Sequence, residues 1–206
     1  MIKEGIKTII FDYGGVIINI NYQATIDAFN ALGTIDFEEM YSQASQSNLF
    51  NQIETGEISG QYFINQILDY LPAGTSPNSV VSAWNEMIQD VPLDRIELLL
   101  RLKNEGYKII LLSNTNELHI EVANRRWSSV HHQSPKEVFD TVYYSHEVKM
   151  RKPNKEIFEF VCREQQLKPE DCLFIDDSIQ HVEGAKSIGI NAVLLEKNQS
   201  IHDIFS

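Results

Sequence analysis

The sequence predicts an α/β protein: a parallel sheet with helices on both faces and a helical cap inserted after the first strand. Three observations carry this reading. Short continuous apolar runs recur along the chain, amphipathic helical stretches lie between them, and one long interval, 18–91, shows only helical periodicity. Continuous rather than alternating apolar character fits strands covered by helices on both sides. Strand and helix in alternation are the pattern of such a sheet.

The apolar runs are 7–11, 107–112, 172–175 and 192–195. Segments 94–105, 117–126, 154–165 and 178–188 space their apolar residues at helical intervals. Gly106 supplies a stop signal, and Pro153 is well placed as a first helical residue. Ser134, Pro135, Lys136 and Glu137 read as a capping box opening a short helix. Within the inserted interval, Phe63, Ile67, Tyr70 and Leu71 share one helical face, and Val80, Val81, Trp84, Met87, Ile88 and Val91 share another. Gly56, Pro72, Gly74 and Pro77 mark its joints, and Pro92 lies near the return to the core. The expected organisation is therefore a Rossmann-like core over 1–17 and 92–206, with a helical cap over 18–91. Tyr62, Phe63 and Trp84 are expected as cap-core aromatics, Tyr143 and Tyr144 at a sheet margin, and His131 and His132 on a surface loop.

At 206 residues and 43% hydrophobic, the chain can bury one core and still hold a small accessory unit. A formal charge of -12 opposes nucleic-acid binding, which rests on excess Lys and Arg. It does not oppose a small anion, because the field beside a metal and a lysine differs in sign from that of the whole surface. Cys162 and Cys172 occur without zinc-ligand spacing and read as buried thiols of a reducing compartment. No segment approaches the roughly 18 apolar residues of a membrane span, and MIKEGIKTIIF has too short an apolar stretch for a signal segment. A cytoplasmic protein without membrane or nucleic-acid partners is expected, its oligomeric state left open.

The chemistry lies where the apolar runs stop. FDYGGV ends its run on Asp12, LLSNTN on Ser113, and FIDDS on Asp176 and Asp177, while Lys152 precedes a proline in RKP. Ligands of open parallel sheets bind at the carboxyl ends of strands, so these residues are expected at one edge. Three carboxylates there repel one another unless a cation lies among them, and hard oxygen donors favour Mg2+. Acids, a hydroxyl and a lysine around a metal suit phosphoryl transfer. Hydrolysis of a phosphate monoester requires on the order of 20 kcal/mol or more from positioning and electrostatics. A carboxylate attacking a phosphate dianion also needs the cation and lysine to offset charge repulsion.

The order FDYGGV, LLSNTN, RKP, FIDDS resembles the four-motif signature of the haloacid dehalogenase superfamily, in its phosphatase branch with a helical cap. The likeness spans nearly the whole chain. It implies Mg2+-dependent hydrolysis of a small phosphorylated metabolite through an aspartyl-phosphate on Asp12. It further implies that the Gly14 carbonyl, Asp12 and Asp177 bind the metal with Asp176 beside them, that Ser113 bonds a phosphoryl oxygen, and that Lys152 holds nucleophile and phosphate together. Asn114 is left between capping the next helix and contacting substrate. The first motif is nearer a subgroup with an FDxGNV-like pattern that includes α-D-glucose-1-phosphate phosphatases, which leans the substrate toward sugar phosphates.

One departure matters. Most phosphatases of that family carry a second Asp two positions after the nucleophile, as general acid and base, and this chain has Gly14 there. Losing such a group costs roughly 10² to 10⁴ in rate. Glu57 and His119 are titratable candidates to replace it, unless the leaving group departs unaided, as an anomeric alcohol would. The gap also leaves room for a metal-independent 2-haloacid dehalogenase or a non-catalytic phospho-ligand binder, although a dehalogenase has no evident use for the tandem acids. Lys149 stands where related phosphatases often place Gly, and Arg151 reads as a solvated charge.

Overall fold

The structure is a computed structural model that describes residues 4–33 and 48–205, so residues 34–47 of the expected cap interval lie outside the described residues. The four apolar runs become strands β1 (Thr8–Phe11), β2 (Lys108–Ser113), β4 (Cys172–Asp176) and β5 (Asn191–Leu194), and a further strand, β3 (Thr141–Tyr144), joins them. All pair in parallel, in the order β3-β2-β1-β4-β5. The sequence reading missed β3, noting only that Tyr143 and Tyr144 border the sheet. TVYY is β-branched and aromatic but too short to show a period, and its single neighbour is β2.

The helices are α1 (Tyr22–Ala31), α2 (Leu49–Glu54), α3 (Gly60–Leu68), α4 (Pro77–Asn85), α5 (Leu93–Asn104), α6 (Glu117–Val130), α7 (Pro135–Val138), α8 (Ser145–Val148), α9 (Lys155–Glu164), α10 (Ile179–Lys186) and α11 (Ile201–Ile204). Period-2 geometry sends alternate strand residues to opposite faces. Ile9, Phe11, Leu111 and Ile175 pack with Leu99 of α5 and Trp127 of α6. Ile10, Ile110 and Phe174 pack on the other face with Phe158 and Val161 of α9. Each such fully buried side chain contributes about 1.5–3 kcal/mol. No helix among the described residues is long and apolar enough to cross a membrane. Both cysteines are buried free thiols.

Helices α1 to α4 surround a third apolar cluster that includes Phe29, Ile53, Phe63, Ile67, Val80 and Trp84. Ser59 caps α3 and Ser76 caps α4, each side-chain oxygen accepting from a first-turn N–H. Three expectations change here. Helix α3 ends at Leu68, so Tyr70 and Leu71 lie beyond it rather than on its face. Tyr62 is half exposed at 50% rather than a core aromatic. Helix α4 ends at Asn85, so Met87, Ile88 and Val91 lie beyond it; Ile88 bridges Ile20 and packs, with Val91, on the sheet. The Ser134–Glu137 capping box is present. Pro153 does not open α9, which begins at Lys155 behind an Asn154 cap. The side chain of Asn114 holds both backbone polar groups of Lys152, and the chain turns there before the helix starts.

Candidate active site

The chain runs outward from β1 through β2 to β3 on one side of the sheet, then crosses back to β4 and β5 on the other, so the strand order reverses at β1. Such a switch point opens a crevice at the carboxyl ends of the central strands. Phe11 pairs with Leu111 and Ile175, and the Asp12 amide donates to Ile175 O at 2.9 Å, so Asp12, Ser113 and Asp176 emerge at one level. Asp12 and Ser113 line a cavity of about 590 Å³, shared with Gly14, Asn114 and Asp177, and roofed by Phe50, Glu54 and Trp84 from the inserted helices, while Asp176 is buried behind it.

Lys152 is the hub. Its Nζ lies 2.7 Å from Asp12 Oδ1 and 2.7 Å from Asp176 Oδ2, and the residue is 0% exposed. The Asn114 amide donates to Lys152 O and accepts from Lys152 N, each at 2.9 Å. Asn114 is therefore not a helix cap: its side chain positions Lys152 while the residue lines the cavity. Asn116 caps α6 instead. Asp176 is also fully engaged: Oδ1 accepts from the Ser178 amide at 2.8 Å, and His181 Nδ1 lies 3.0 Å from each oxygen. The Ser113 hydroxyl makes one long bond, 3.4 Å to Asn114 O. That weak bond holds its one proton, so the hydroxyl turns away from Asn114 O to donate to a ligand.

Asp177 stands against the loop after β1. A Cβ on Gly15 would fall 2.1 Å from Asp177 Oδ2, and Gly15 has φ +75°, so only glycine lets this carboxylate close on the loop. At Gly14 a Cβ would fall 2.7 Å from Ile20 Cδ1. The tip of an apolar side chain crowds the position.

The charges do not balance. Burial, reinforced by Asp176, pushes Asp12 up to about 7 despite Lys152. Burial also raises Asp177, with Asp176 adding to it. Burial opposes charge on Asp176 too, yet Lys152 and His181 outweigh it and hold that carboxyl below its ordinary value. One buried ammonium thus serves carboxylates that it cannot all neutralise, and the remaining donors are hard oxygens. A divalent cation such as Mg2+ fits this donor set. Asp12, Asp176 and His181 also converge, within 4.8 Å. That convergence already contains the lysine ammonium and two histidine contacts.

A family model described as haloacid dehalogenase-like hydrolase matches residues 6–189. The chain belongs to that family. It is 29% identical over 184 residues to D-ribitol-5-phosphate phosphatase of Bacteroides thetaiotaomicron, covering 89% of each chain. It is 24% identical to glyceraldehyde 3-phosphate phosphatase of Pyrococcus furiosus, covering 91% of this chain and 80% of the relative. A solved haloacid dehalogenase family enzyme of Bacteroides thetaiotaomicron, crystallised with magnesium and inorganic phosphate, superposes with TM-score 0.90 at 31% identity, covering 98% of this chain and 100% of the other.

Three residues of this hydrolase's cavity escaped the sequence reading. Arg151, expected in solvent, is 27% exposed at its side chain and lies 2.9 Å from Glu54 of α2. His181 projects from α10 onto Asp176. Arg151 stands in RKP but no motif marks Glu54 or His181, and the contacts of all three depend on an approach across the fold. Lys149 adopts φ 60°, the left-handed conformation that glycine favours, and donates to Gly56 O in the inserted segment.

Neither proposed replacement for the missing acid is placed for it. Glu57 is exposed and accepts from Thr55. His119 lines the cavity, but its Nε2–H donates to Trp84 O at 3.2 Å and its Nδ1 faces the Asn116 amide at 3.1 Å. Burial drives its pKa down to about 4, with the Trp84 carbonyl opposing. The folded value lies below the unfolded one of about 6.5, so the unfolded chain takes the proton first. Stability is full above about pH 6.5 and falls as pH drops toward 4. Between pH 7 and pH 5, wild type should lose about 2 kcal/mol more stability than His119→Gln. Denaturant melts at both pH values measure the difference, and equal losses in the two proteins refute it.

Proposed function

We propose that this hydrolase is a Mg2+-dependent phosphatase acting on a small phosphorylated metabolite through an aspartyl-phosphate on Asp12, beneath a cap formed by residues 18–91. The observation that carries this is the split use of Asp12: Oδ1 is held by Lys152, while Oδ2 has no partner among the described residues and borders the cavity. A carboxylate oriented at one oxygen and open at the other is prepared for in-line attack.

Asp12 attacks phosphorus, Lys152 offsets charge between nucleophile and phosphoryl oxygens, and Ser113 Oγ donates to one of those oxygens. Asp12, the Gly14 carbonyl and Asp177 would hold the ion, which when bound would supply positive charge to the phosphoryl group. Asp176, with every oxygen engaged, positions Lys152 rather than binding the ion. The apolar roof excludes bulk water, which strengthens these interactions. The relatives named for ribitol 5-phosphate and glyceraldehyde 3-phosphate support phosphorylated sugars and polyols as the substrate class. Their leaving groups are ordinary alkoxides, so the class is broader than the anomeric phosphates to which the first motif leans.

A panel of phosphomonoesters tests the reading. Phosphate release should require Mg2+ and fall by at least about 100-fold with a chelator, and added Mg2+ should raise the melting temperature of the chelator-treated protein. Undiminished phosphate release without the metal overturns the cation role. Chloride release from a 2-haloacid in chelator makes the protein a dehalogenase, and ligand binding without any turnover makes it a binding module.

A further inference from the structure

The phosphatase reading, on which this inference rests, needs a proton for the leaving alkoxide, and Gly14 cannot hold the group that would give it. Ile20 occupies the space of a side chain there. The in-line requirement says where a donor must stand. With Asp12 on one side of phosphorus, the leaving oxygen lies on the other, away from the sheet and toward the inserted helices.

Among the described residues lining the cavity, few titratable groups meet that requirement. His119 has both nitrogens engaged. His181 Nδ1 is tied to Asp176, and its ring belongs to the core beside the nucleophile, the wrong side of phosphorus. The Tyr13 phenol is buried beside Trp127 and holds its proton far too tightly to exchange it. Tyr22 is 67% exposed at the rim. Arg151 has no proton to give at working pH. Glu54 remains, carried by α2 on the leaving-group side.

Its environment fits a proton carrier. Glu54 Oε2 sits 2.9 Å from Arg151 Nη2, yet that oxygen is buried without a well-formed hydrogen bond, and Arg151 Nε also lacks one. Buried polar atoms left in this state call for a partner, and a substrate oxygen entering between α2 and the 151–153 turn would supply it. Burial pushes the carboxyl up, partly offset by the facing charges of Arg151, His181 and Lys152.

We propose that Glu54 is the general acid and base of the reaction, with Arg151 as its positioning partner. In the first step the bond from Asp12 Oδ2 to phosphorus forms as the ester P–O bond breaks, and the Glu54 carboxyl proton goes to the departing oxygen, releasing a neutral alcohol. In the second, water oxygen bonds to phosphorus as the Asp12 O–P bond breaks. The water proton returns to Glu54, and hydrogen phosphate leaves.

The test is Glu54→Gln against a series of esters of graded leaving-group basicity, from p-nitrophenyl phosphate to simple alkyl phosphates. Gln keeps the shape and removes the proton. The variant should lose about 10² to 10⁴ in kcat/KM for alkyl esters and less than about tenfold for p-nitrophenyl phosphate, whose phenolate leaves unprotonated. A burst of p-nitrophenol should appear, because the second step still lacks its base. Glu54→Asp should recover part of the alkyl rate, and both variants should melt near wild type. A uniform loss of kcat/KM across the series, or none, overturns the proposal while leaving an active wild type as a phosphatase. A leaving-group-dependent loss in His181→Asn with Glu54→Gln unaffected gives the role to the imidazole. A wild type inactive on every ester ends the phosphatase reading and this one together.

Discussion

Asp12→Asn is expected to lower phosphate release by on the order of 10⁴-fold or more, because an amide oxygen cannot form the acyl phosphate and no other carboxylate in the cavity is aimed for attack. The fold should survive. Asn keeps a carbonyl oxygen for Lys152, which lies 2.7 Å from Asp12 Oδ1. The native site also raises the Asp12 pKa to about 7, chiefly through burial and then Asp176, so the ionised carboxylate destabilises the metal-free protein near neutral pH. The sign follows from linkage: a carboxyl whose folded pKa exceeds its unfolded one loses stability as pH rises through that interval. Without metal, Asp12→Asn should therefore melt at or above the wild-type temperature at pH 8. Thermal melts and phosphate assays on the same preparation, with mass spectrometry to exclude deamidation back to Asp, decide the matter. Retained turnover removes Asp12 as nucleophile, and a collapsed melt makes it a structural residue.

Lys152→Met should abolish turnover and, unlike Asp12→Asn, damage the fold. The ammonium is fully buried and is the bridge between Asp12 and Asp176. Asp176 itself is 0% exposed, held by His181 and the Ser178 amide, and cannot turn to water. Removing one partner from a buried ion pair costs about 3–5 kcal/mol. For a chain of 206 residues that corresponds to a fall of roughly 10 °C in melting temperature. Lys152→Met combined with Asp176→Asn removes one of the stranded charges and should regain part of the lost stability while remaining inactive. Equal melting temperatures for wild type and Lys152→Met contradict the hub role, and full activity in the double variant contradicts the electrostatic one.

The carboxyl-terminal strand residues were legible because burial on both faces leaves a continuous apolar signal that ends abruptly where a strand reaches the edge. Asp12, Ser113 and Asp176 each follow such a run and meet at one level of the sheet. Strand β3 was missed because it is brief and bordered on one side only. Asn114 was left undecided because its choice between cap, substrate and backbone depends on the position of the Lys152 loop. Glu57 was singled out three positions from Glu54, since sequence spacing cannot tell which acidic side chain near the end of α2 faces inward.

From the amino-acid order alone came the alternating architecture, the helical insertion after β1 and the acids at strand ends, all of them local patterns that repeat within a few residues. Tertiary structure alone decided the rest. It assigned Asp176 to Lys152 and left Asp177 facing the loop, crowded position 14 with Ile20, and brought Glu54 and Arg151 together over the cavity. Each of those outcomes depends on which side chains far apart in the chain reach the same few ångströms, and hydrogen bonds and buried charge respond to that distance rather than to sequence spacing.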